Sequence, residues 1–373
     1  MKRNHSTGRG EPGHFLALSA SPARCALSAR RVTLAGCTFL AGLALLVSGC
    51  ADQGPQVDGA DVFAAAAVIT PEDYAERVGV LAADSMRGRF TPSPELEKAA
   101  RWIAAEFRAM GLRGGAEDGA FIQRYPLPRG EGQAPNVVAV LEGSDPELKR
   151  EYVVFMAHMD HVGVRAPDEH GDSIFNGADD NASGTAAVME VARAAAAMNP
   201  RPRRSFLFLL VSGEERGLWG SAYYTEHPTV PLDSMVAVIN ADMVGRNWSD
   251  SIVVIGKEHS DLGGTMERVA AEHPELNMAA LDDRWPEENF YRRSDHFNFA
   301  RKGVPVLFFF NGTHEDYHRP GDEPSLIDAE KASRIARLMF YLGVEIANAE
   351  EQPQWNPESY RQIVERADSG GDD

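Results

Sequence analysis

Residues 152–160 read Tyr152-Val153-Val154-Phe155-Met156-Ala157-His158-Met159-Asp160. An apolar run of strand length that stops at polar side chains describes a strand covered on both faces. Similar runs recur at 136–141, 205–211, 235–239, 251–255 and 305–310. Stretches with helical spacing alternate with them at 184–198, 261–272 and 325–346. A further helix follows Ser93-Pro94, where a capping serine and a first-turn proline precede Ala99, Ile103, Phe107 and Met110, and Gly111 ends it. This alternation predicts an α/β fold: a three-layer α/β/α sandwich with a mixed, largely parallel central sheet. Ligands of such sheets bind at the carboxyl ends of the strands. The residues directly after each apolar run are therefore the ones to read for function.

The chain has 373 residues, with 37 Lys+Arg against 55 Asp+Glu, a formal charge of −18. That balance argues against a nucleic-acid partner, which demands a basic stripe. A hydrophobic content of 43% is ample for a large core. All three cysteines (Cys25, Cys37 and Cys50) fall in the first 50 residues, so the body of the chain forms no disulfide of its own.

Arg30 and Arg31 precede an uncharged apolar stretch over 32–49, the pattern of an export signal. Its length also approaches that of a membrane span. Val47-Ser48-Gly49-Cys50 decides between the two, because it resembles a bacterial lipobox, in which cleavage precedes the cysteine and lipid is attached to its thiol. Ala29-Arg30-Arg31-Val32-Thr33-Leu34 is a looser match to a twin-arginine signal, which leaves the export route open. The expected organisation is a signal with lipobox over 1–49, a lipid-anchored flexible tether over 50–70, the main domain over 71–350 and an acidic tail over 351–373. The protein is expected to be exported and anchored to the bacterial cell envelope through a lipid on Cys50. Loss of residues 1–49 removes six basic residues and one acidic one, leaving a still more acidic chain.

The polar ends of the apolar runs carry the chemistry. The first ends in His158-Met159-Asp160, two side chains able to point the same way. Gly177-Ala178-Asp179-Asp180-Asn181-Ala182-Ser183-Gly184 leads into a helix. Ser212-Gly213-Glu214-Glu215, Asn240-Ala241-Asp242 and Tyr317-His318-Arg319-Pro320-Gly321-Asp322 follow later runs. Singly, each has an ordinary explanation: a surface hydrogen bond, a helix cap, a turn. Together they bring two histidines and several carboxylates to one rim. So much negative charge in one cleft is costly unless divalent cations offset it. Mixed His and carboxylate donors favour zinc over manganese or cobalt.

In that order, and with Ser294-Asp295-His296 between the last two, these motifs resemble metallopeptidase family 28, the cocatalytic dizinc aminopeptidases related to glutamate carboxypeptidase and glutaminyl cyclase. The resemblance runs from about Leu81 to Ile346 and includes Asp84-Ser85-Met86-Arg87-Gly88-Arg89. It implies a zinc-dependent exopeptidase fold and two zinc ions per chain. His158 and Asp242 would hold one ion, Glu215 and His318 the other, and Asp180 would bridge them. Asp180 rather than Asp179 takes the bridge because it directly precedes the Asn-Ala-Ser-Gly turn. Asp160 would orient His158, Glu214 would act as general base, and Tyr317 would help hold the oxyanion. His161, His170, His296 and His314 receive no ligand role, and His296 is expected to order its loop.

The implied activity is removal of N-terminal residues from peptides with a free N-terminus. A glutaminyl cyclase-like acyltransferase, or a carboxypeptidase or dipeptidase, is the alternative on the same fold. Arg292 or Arg293 could then receive a substrate carboxylate. Trp285, Phe290 and Tyr291 either shape a pocket for the first side chain or anchor their loop.

Overall fold

The computed structural model describes residues 58–368. Its strands are β1 (Arg113–Gly114), β2 (Ile122–Pro126), β3 (Gln133–Leu141), β4 (Tyr152–His158), β5 (Gly163–Val164), β6 (Ile174–Phe175), β7 (Ser205–Val211), β8 (Met235–Asp242), β9 (Ser251–Ile255), β10 (Ala279–Leu281) and β11 (Val306–Phe310). β5 and β6 form a small hairpin, and the rest form one nine-stranded sheet in the order β1-β3-β7-β4-β8-β11-β9-β10, with β2 also on β3. The four central strands, β7, β4, β8 and β11, run parallel. β3 and β9 flank them antiparallel. The sheet is mixed, as expected, but its parallel part is confined to the centre and to the β9–β10 pair.

Side-chain alternation along each strand builds two cores. Val153, Phe155 and Ala157 of β4 join one core, while Val154 and Met156 join the other. The first is covered by α1 (Gly59–Ala66), α2 (Pro71–Leu81), α3 (Pro94–Ala109), α4 (Gly184–Ala197), α6 (Leu262–Glu272) and α8 (Ala329–Asn348). The second is covered by α5 (Trp219–Glu226), α7 (His296–Ala300) and the segment after α9 (Pro357–Tyr360). The α3 start is built as its sequence predicts, with Ser93 Oγ accepting from Leu96 N at 3.0 Å and Pro94 in the first turn.

The structure differs from the sequence expectation at both ends of the main domain. Residues 59–66 form a helix whose Ala65 and Ala66, with Ile69 beyond it, are buried in the first core. Small apolar side chains let that helix lie close, and the same Ala- and Gly-rich composition reads as a linker. Within 351–373, Ile363 and Val364 are buried in the second core, and Trp355 Nε1 donates to Gly303 O at 2.8 Å. The export signal, the lipobox and residues 369–373 lie outside the described residues.

Candidate metal centre

His158 closes β4 and Asp242 closes β8, adjacent parallel strands of the sheet centre. Both fall on the face of the second core, so their side chains meet: His158 Nε2 lies 3.4 Å from Asp242 Oδ1. The same nitrogen is 3.4 Å from Asp180 Oδ1. Asp180 Oδ2 faces the other way, 3.0 Å from His318 Nε2 and 3.6 Å from His161 Nδ1. Glu215 completes this second group, with Oε2 3.1 Å from His318 Nε2 and Oε1 2.9 Å from His161 Nδ1. The two oxygens of Asp180 are thus divided between two sets of donors.

The turn that carries Asp180 is held from three sides. The Asp322 carboxylate accepts from Asp179 N and Asp180 N at 2.9–3.0 Å. Asn181 donates to Ala241 O at 3.0 Å and accepts from Gly184 N at 2.8 Å, fastening the turn to β8 and to the start of α4. Gly184 is required here, because a Cβ would stand 2.3 Å from Ala241 O. Ser183 Oγ donates to Asp179 O and accepts from Val244 N. Beneath it, the fully buried Arg89 guanidinium donates to Leu81 O, Met159 O, Asn176 O and Gly177 O, joining both loops of the centre.

The Glu214-Glu215 turn leaves β7 through Gly213, whose φ of +76° suits a residue without Cβ. Asp160 anchors this turn. Its carboxylate accepts from Thr91 Oγ1 at 2.8 Å and from Glu214 N at 3.3 Å, and Thr91 Oγ1 accepts from Gly213 N at 3.1 Å. The link from Asp160 to His158 differs from expectation: the backbone oxygen of Asp160 lies 3.2 Å from His158 Nδ1, while its carboxylate stands off at 3.8 Å.

Electrostatics mark the centre as a site that wants cations. Burial pushes the Glu214 carboxyl well above the usual range, with Asp295, Asp242 and Glu215 adding to the rise against the His158 charge. Burial likewise raises Asp180 to about 6, against the pull of the histidines around it. Burial opposes charge on His318, but Asp180 and Glu215 outweigh it and lift the imidazole to about 10. His158 is raised too, the carboxylates of Asp242 and Glu214 overcoming its burial. His161 Nδ1, Glu215 Oε1 and Asp242 Oδ1 are buried without a hydrogen-bond partner. Unpaired buried polar atoms are costly, and here they cluster on imidazole and carboxylate donors that suit a divalent transition metal. The residues present fit such ions.

A small cavity of about 50 Å³ opens over the centre. His158, Asp180, Glu214 and Asp242 form its polar floor, and Met243, Phe290, Phe308 and Phe310 its apolar wall, with Arg293 and Tyr317 also facing it. The Tyr317 ring stacks on His318 at 4.0 Å. Burial and the surrounding carboxylates push the Tyr317 phenol up, so it stays a hydrogen-bond donor. Ser294 Oγ donates to Asp242 Oδ2 at 3.2 Å. His296 is buried against Phe308 with Nδ1 3.3 Å from Asn240 Nδ2, away from both donor sets. Phe290 lines the cavity, Trp285 packs on Phe290 and Phe310, and Tyr291 is buried beside His259 and His296.

All five residues expected as ligands converge, together with Glu214. Sequence reasoning passed over His161, which falls among the donors, and gave no task to Thr91, Arg89 or Asp322. The signal for His161 lay in Gly177, whose missing side chain leaves room for the ring, a relation invisible along the chain.

The model of peptidase family M28 matches residues 136–343, over half of the chain, and the chain belongs to that family. A probable zinc metalloprotease of Leptosphaeria maculans is 27% identical over 281 residues, covering 64% of this chain and 64% of that one. The aminopeptidase YwaD of Bacillus subtilis is 29% identical over 209 residues, 53% of this chain and 43% of that one. These matches therefore span less than two thirds of the curated relatives. Among solved structures, the LapA aminopeptidase of Legionella pneumophila aligns with a TM-score of 0.60 at 21% identity, over 86% of this chain and 81% of that one. A glutaminyl cyclase of Porphyromonas gingivalis aligns with a TM-score of 0.60 at 18% identity, over 73% of this chain and 97% of that one. Both likenesses are of fold.

Proposed function

We propose that this chain is a zinc-dependent aminopeptidase that removes N-terminal residues from peptides. The observation that carries the reading is Asp180, with Oδ1 turned to His158 and Oδ2 to His318, beside a half-buried Glu214 at the cavity. His158 and Asp242 would hold one ion and Glu215 and His318 the other, with one oxygen of Asp180 facing each pair. Zinc bound there would supply Lewis acidity toward a carbonyl and would lower the pKa of a bound water toward neutrality. Glu214, which lines the cavity beside His158, Asp180 and Asp242, takes the proton of the attacking water and returns it to the departing amine. The Tyr317 hydroxyl donates to the oxygen on which negative charge develops. The carboxylates on the cavity floor favour a substrate amino group. The wall of Phe290, Phe308, Phe310 and Met243 favours an apolar first side chain.

Arg293 at the cavity favours a second reading, in which its guanidinium receives a substrate carboxylate and the chain is a carboxypeptidase or dipeptidase. One experiment separates them: aminoacyl, N-acetylated and glutaminyl peptides assayed with chelator and with zinc add-back. An aminopeptidase loses activity to the chelator, regains it with zinc and is blocked by N-acetylation. Cleavage of N-acetylated peptides would support the carboxypeptidase, and cyclisation alone the acyltransferase.

The chain is further proposed to be exported and tethered to the cell envelope by a lipid on Cys50, on the strength of its lipobox-like Val47-Ser48-Gly49-Cys50. Cys50→Ser should move it from the membrane fraction to the soluble one. Unchanged fractionation would remove the anchor.

A further inference from the structure

We infer that His161 is an additional metal ligand, binding through Nδ1 the ion held by Asp180, Glu215 and His318. The inference rests on the two-metal reading above and adds to it an asymmetry: one position carries two imidazoles and its neighbour one.

His161 lies three residues beyond His158, past the end of β4, and its ring is fully buried. Its Nδ1 is 2.9 Å from Glu215 Oε1, a distance at which a hydrogen bond is ordinary. Yet neither atom has a hydrogen-bond partner. The two donors approach closely without being aligned on one another, the arrangement of atoms that share a third. The ligand atoms of His161, Asp180, Glu215 and His318 all lie within 4.8 Å of one another. Their individual separations of 2.9, 3.0, 3.1 and 3.6 Å bracket the edge of about 3.4 Å expected between donors at roughly 2.1 Å from a tetrahedral zinc.

The backbone makes room for this ring. Gly177 adopts φ +59°, and a Cβ there would stand 2.4 Å from His161 Cγ and 2.5 Å from Cδ2. Arg89 holds the Gly177 carbonyl at 2.9 Å, which fixes the wall behind the imidazole. On the other side the ring meets His318 edge-on, with centroids 5.5 Å apart. His161 therefore has one defined position, and its Nδ1 in that position faces the carboxylates of the site. His314 makes the contrast: its Nε2 meets Asp179 Oδ2 at 3.3 Å, outside the donor set.

A histidine that only orients Glu215 through a hydrogen bond would be replaceable by another donor at the same place, whereas a ligand would not. His161→Ala and His161→Asn test this, the asparagine keeping an N–H near the Nδ1 position without an imidazole. Zinc affinity is measured by competition with a chromogenic chelator, and the cobalt-substituted proteins are compared by visible absorption. Melting of the metal-free variants alongside the metal-free parent checks folding. The expected result is two ions in the parent, with the first bound more tightly. Both variants should weaken one of the two by more than the roughly 10–100-fold that loss of an orienting partner causes, and both should change the cobalt bands. Parental affinity and spectrum in both variants, or rescue by asparagine, would overturn the inference. A parent that binds a single ion would overturn the two-metal reading instead. His161 would then stand or fall by whether its loss weakens that ion.

Discussion

At the scale of the residue, the centre divides labour between neighbours. Glu214 and Glu215 are adjacent, yet burial holds Glu214 far above the usual carboxylate range while the imidazoles of His161 and His318, overcoming burial, hold Glu215 well below it. In the proposed mechanism the first accepts a proton and the second stays charged beside a cation. Glu214→Ala should therefore leave metal content unchanged while lowering kcat by at least about 10²-fold; a variant with parental turnover would remove Glu214 from the base role. Asp180→Ala should lose both ions, as metal analysis after dialysis would record, because each donor set uses one oxygen of that carboxylate. The ligand-type residues were legible in the sequence because each directly follows an apolar run or lies in a motif of the family. His161 was not, since its place depends on Gly177 across the loop. The orientation of His158 was legible as a pairing with Asp160 but not in its atoms, because a strand end does not say whether carbonyl or carboxylate comes within reach.

At the scale of the element, the loops are positioned by buried groups that never touch the cavity. Asp322, four residues beyond His318, carries two backbone N–H groups of the Asp180 turn. It thereby ties the loop of His318 to the loop of Asp180. Asp322→Ala would strand both donors, at about 1–3 kcal/mol for each buried group left unpaired. It should also weaken zinc binding by roughly 10–100-fold, the usual effect of removing an orienting partner. Thermal unfolding of the metal-free protein and a chelator competition read the two effects separately. Parental values in both would show that the turn holds its shape without Asp322. The strands were legible because buried parallel strands are almost uniformly apolar. The helix over 59–66 was not, because alanine-rich segments pack well only where a partner face is waiting, and the partners, α4 and α8, come far later in the chain.

At the scale of the whole molecule, the donors come from separate loops spread between His158 and His318, so the centre fastens the fold across its sheet. A ligand that binds only the folded chain stabilises all of it. Protonation sets the sign of this effect with pH. Without metal, the folded pKa of His318 is raised to about 10 from its ordinary 6.5. That imidazolium contributes stability that is fully present below pH 6.5 and is lost as pH rises through about 10. A metal ion needs the neutral ring, so its binding expels a proton throughout that window and tightens as pH rises. The two trends diverge: the metal-free chain loses the His318 contribution while the metal-bound chain gains affinity. The difference in Tm between zinc-loaded and chelator-treated protein should therefore widen steadily from pH 6.5 to pH 9. His318→Gln should flatten that widening, because the residue whose proton is displaced is gone. Scanning calorimetry of both proteins at matched ionic strength measures it; a gap of constant width in the parent would show that His318 releases no proton to the metal.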